Sequence, residues 1–122
     1  MATASAHWTI TAGSGGGFTG MTNGYTLLSS GDVLKFSGMN GNRDGAKKIG
    51  SVKADEAEKY ATRLSDAGFW TSAINGSGNM TMFIEMQKDS MRHQIQWGGA
   101  VPAQQFGQLY SDFMTMCSAL DK

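Results

Sequence analysis

The first residues in this chain that could do chemistry form a run of glycines. Gly15-Gly16-Gly17-Phe18-Thr19-Gly20 matches the G-x-G-x-x-G spacing that lets backbone N–H groups approach a phosphate. A dinucleotide site also needs a helix that starts directly after the glycines, so that its N-terminus faces the pyrophosphate. Here Met21-Thr22-Asn23-Gly24 leads into another strand. The spacing alone therefore argues for no nucleotide and no other cofactor.

The remaining reactive side chains are scattered. His7, His93 and Cys117 share no C-x-x-C or H-x-x-x-H spacing, so no metal site is expected. No Ser, His and acid arrangement stands out, and Cys117 sits in an apolar helical stripe without the positive surroundings that activate a thiolate. Asp55, Glu56, Glu58 and Asp66 read as a solvated helix face, and Asp32, Asp44 and Asp89 as turn residues. With no acid/base pair to defend, the chain reads as a protein without catalytic residues. His93 alternates with Met91 and Ile95, which predicts a packed, hydrogen-bonded imidazole.

What the glycines can do is make contact. They follow a short alternating segment, His7 to Ala12, and residues 13–20 surround a single aromatic, Phe18. Glycine loses more backbone entropy on ordering than any other residue, so a cluster on a loop implies close approach or backbone angles that a Cβ forbids. Gly16, Gly17, Phe18, Thr19 and Gly20 are accordingly the candidate protein-binding residues. The competing reading is a supple connection and nothing more.

The elements that must carry this loop are legible in part. Tyr25 to Ser29 and Val33 to Ser37 flank the turn cluster Ser30-Gly31-Asp32 and predict a hairpin. Residues 38–50, with four glycines and no apolar period, predict a loop. Ala57, Tyr60, Ala61, Leu64 and Ala67 recur at helical spacing, and Gly68 supplies the stop. Phe69 and Trp70 should fold back onto the core, and residues 75–79 should form a flexible connector.

Period-two alternation over 80–87 and again over 91–97 predicts a second hairpin, with Met80, Met82, Ile84 and Met86 on the apolar face of one strand and Met91, His93, Ile95 and Trp97 on that of the other. The methionines of this register read as core, not as a plastic binding surface. Pro102 opens a last helix whose stripe is Phe106, Leu109, Phe113, Met116, Cys117 and Leu120. The order β-ββ-α-ββ-α makes an α+β domain: a single antiparallel sheet of about five strands with two helices on one face. The other face is left to water, a partner or a second copy.

Composition bounds the rest. At 122 residues with a single proline, the chain fits one domain spanning 1–122, with residues 1–6 expected to be disordered. Ten basic and ten acidic side chains leave a formal charge of zero, against nucleic acid or an anionic membrane as partner. No apolar run reaches the roughly 18 residues of a membrane span. Low charge, 17 glycines and a small-residue start favour an exported or lipid-anchored protein over a cytoplasmic one.

Taken in order, these residues resemble the emfourin family, small protein inhibitors of protealysin and related thermolysin-like metallopeptidases. The resemblance rests on the loop Gly16-Gly17-Phe18-Thr19-Gly20 after a first strand and on an acidic helix, Asp55-Glu56-Ala57-Glu58, ending near Phe69-Trp70. It continues through a hairpin pairing Phe83-Ile84-Glu85 with His93-Gln94-Ile95, and a helix introduced by Pro102 and running to Leu109. This chain departs from the pattern in a longer segment between Tyr25 and Gly50, and in Gly15, where the family carries a polar or basic residue. The resemblance implies an inhibitor whose loop plugs a peptidase cleft, with Phe18 as its apolar anchor, by occlusion and not by zinc chelation. The alternative is a structural or interaction domain of an exported bacterial protein.

Overall fold

The computed structural model describes residues 8–16, 21–39, 46–74, 76, 80–89, 91–98 and 104–120. Six strands and two helices follow in chain order. They are β1 (Trp8–Gly16), β2 (Met21–Leu28), β3 (Asp32–Met39), β4 (Lys47–Ser51), α1 (Ala54–Asp66), β5 (Met80–Lys88), β6 (Met91–Gly98) and α2 (Gln104–Ser118), with a short 3-10 turn at Phe69–Thr71 after α1. All strand pairs are antiparallel in one sheet of order β4-β3-β2-β1-β5-β6. The α+β class is as expected, with one strand more.

The additional strand comes from the segment expected to be a loop. β3 runs on to Met39, and β4 occupies Lys47–Ser51, pairing Ser51 with Asp32 and Lys48 with Leu34. Val33 faces Gly50 and Leu34 faces Lys48, so Ile49 is an extra residue that breaks any simple alternation. Residues 40–45, also assigned to that loop, lie outside the described residues.

The sheet's two faces are set by parity. Trp8, Ile10, Ala12, Leu27, Val33, Ile84, Met86, Ile95 and Trp97 point to one side, where they pack with Tyr60, Leu64, Phe106, Leu109 and Phe113 of the helices in a single core. α1 begins after Lys53 without a side-chain cap, carries Asp55 and Glu56 where the helix dipole favours acids, and ends at Gly68 in the left-handed region, φ 89°. Phe69 is fully buried and Trp70 half-buried, so the fold-back after the stop occurs. The helices are joined by the Tyr60 hydroxyl, which donates to the buried Leu109 carbonyl at 2.6 Å, and by Tyr60 tilted against the Phe113 ring at 5.4 Å.

Both sheet edges are protected, by different devices. β4 is short, bulged and carries Lys47 and Lys48, charges that disfavour pairing with another edge. On the other side, the segment following the 3-10 turn crosses β6: the Gln96 N–H donates to Ile74 O at 3.1 Å, and the Gly76 N–H donates to Gln96 O at 2.9 Å.

Candidate functional site

The expected contact loop sits on the β1–β2 hairpin, and the hairpin is longer than the sequence suggests. Gly13, Ser14, Gly15 and Gly16 are strand residues, paired with Gly24, Asn23, Thr22 and Met21 on one side and with Phe83, Met82, Thr81 and Met80 on the other. The reading of residues 13–20 as one loop is thus corrected for its first half. Of the candidate contact residues, Gly16 ends β1, while Gly17, Phe18, Thr19 and Gly20 lie outside the described residues.

The glycines within the strand have a packing reason. A Cβ at Gly13 would stand 2.1 Å from Asn23 O, and one at Gly24 would stand 2.3 Å from Ala12 O, both far inside van der Waals contact with backbone. The central strands approach too closely there for any side chain. On the face away from the helices, Phe36 pairs with Gly24 and Phe83 with Gly13, so one row across the sheet reads Phe36, Gly24, Gly13, Phe83. Both phenylalanines are buried, Phe36 to 1% exposure and Phe83 to 8%, although alternation predicts a largely polar face here. An aromatic beside a strand glycine restores the contact area that the missing side chain forfeits.

The register also places the hairpin end among other connections. Met39, Met21, Gly16 and Met80 share one row, and Thr81 pairs with Gly98 beside it. β1, β3 and β6 therefore end, and β2 and β5 begin, at this end of the sheet. Nearby polar groups are uncharged: Ser37 Oγ donates to Asn23 Oδ1 at 2.6 Å, and Ser14 bonds the Tyr110 phenol, whose pKa is raised because it is partly buried. This end holds no acid/base machinery among the described residues.

Comparison with known proteins gave no matching family model and no matching curated relative.

Elsewhere the reactive side chains are held in structural roles. Cys117 is fully buried, and burial pushes its thiol up to about 12, so the thiolate is scarce at neutral pH. His93 lies edge-on to Phe69, ring centroids 5.1 Å apart, with Nε2 2.6 Å from Ser72 O, as its alternation predicts. His7 lies outside the described residues. No cluster of three or more His, Cys, Asp or Glu suited to a metal occurs among the described residues. Trp97 stacks edge-on against Tyr110 at 5.5 Å beneath α2.

Two features escape a reading of the sequence. Glu85 is buried to 5% exposure and pairs with Arg92 across the β5–β6 hairpin, where alternation places only a solvent-facing acid. An open groove of about 680 Å³ lies at the sheet end away from the β1–β2 hairpin, between Leu28, Ser30, Gln87 and Asp89 with Thr9 below. Neither feature brings a nucleophile and a base together.

Proposed function

We propose that this chain is a non-enzymatic binding module that inhibits a thermolysin-like metallopeptidase, presenting Gly16, Gly17, Phe18, Thr19 and Gly20 to the enzyme's cleft. The observation that carries this reading is the ladder running without a break to the Gly16–Met21 pair, on a strand that has neighbours on both sides. A loop of glycines would lose affinity to ordering if its stems were free. Stems already paired in the middle of a sheet add no ordering cost of their own on binding. The resemblance of the Gly16 to Gly20 motif to the emfourin loop supplies the target class.

The test is inhibition of a panel of thermolysin-like enzymes by the intact chain. Inhibition that falls at least tenfold on Phe18→Ala, with thermal stability unchanged, supports the reading. No inhibition across the panel overturns it.

A further inference from the structure

We draw no further inference here: the strongest candidate, the open groove between Ser30 and Asp89 at the sheet end away from the β1–β2 hairpin, brings one carboxylate together with uncharged side chains, and nothing in the structure shows what covers it.

Discussion

Phe36 lies against Gly24 so closely that a Cβ at position 24 would stand 2.9 Å from its Cζ, on the sheet face that carries no helix. The ring and the glycine form one unit: the glycine makes room, and the ring fills it.

Replacing Gly24 with alanine should therefore be costly. The new methyl meets Ala12 O at 2.3 Å, and backbone in the middle of a sheet cannot step aside. A loss of about 2–3 kcal/mol is expected, at the upper end for overpacking, read by urea denaturation. Phe36→Ala should cost about 3–4 kcal/mol by leaving the cavity unfilled. Near-parental midpoints for both would show that this row is not packed as described.

Tyr60 and Cys117 make stability fall at alkaline pH. Burial raises both above their ordinary values, so folding favours their protonated forms; that contribution is complete below the unfolded values of 10.0 and 9.0 and is lost as pH rises beyond them. Each group can steepen the decline by up to about 1.4 kcal/mol per pH unit. Denaturation midpoints should fall from about pH 9 in the parent, as the thiol value dictates, and Cys117→Ala should delay the onset to near pH 10. Identical pH profiles for the two proteins would remove Cys117 from the account.

At neutral pH the same Tyr60 can be tested as a hydrogen-bond donor. Tyr60→Phe removes the 2.6 Å bond to Leu109 O, which keeps its helical partner within α2, so the loss is that of one net hydrogen bond, about 0.5–1.5 kcal/mol. Calorimetry should show that loss without a change in the sheet signal of circular dichroism.

The surface link between the helices should matter far less. Arg63 Nη2 donates to Asp112 at 2.8 Å, and Gln108 adds a second bond to the same carboxylate. These partners, Arg63 first, hold Asp112 below its ordinary value of 3.8, so their contribution is present above that pH and disappears as the acid is protonated. Both side chains are more than a third exposed, which limits the pair to under about 1 kcal/mol. Arg63→Ala should cost no more than that, and 0.5 M salt should erase the difference.

The elements with a clear period are legible in the amino-acid sequence. α1, α2 and the β5–β6 hairpin announce themselves because apolar residues repeat at the spacing of the face they bury. The glycine-rich half of β1 does not. Gly13, Gly15 and Gly16 have no side chain to alternate, and their strand character comes from neighbours on both sides that are distant in sequence. β4 is hidden by the extra residue Ile49 and by lysines that protect an edge instead of filling a core. Phe83 is misplaced for a related reason: alternation assigns it to the polar face, and its pairing with Gly13 shows how an aromatic comes to be accommodated there. Of the candidate contact residues, the structure adds the placement of Gly16 at the end of a central strand, since residues 17–20 lie outside what it describes.

The position of β1 also governs how the chain can assemble. Strands β1 to β4 form a meander from consecutive sequence and can pair as soon as they leave the ribosome. The second neighbour of β1 is β5, whose Lys88 pairs with Trp8. Until that distant strand is synthesised, the side of β1 that becomes the middle of the sheet is an open edge of Trp, Ile and Thr. Closure of β1 on β5 spans most of the chain, so it should set the folding rate. It also marks the interval in which a nascent chain is most exposed to aggregation.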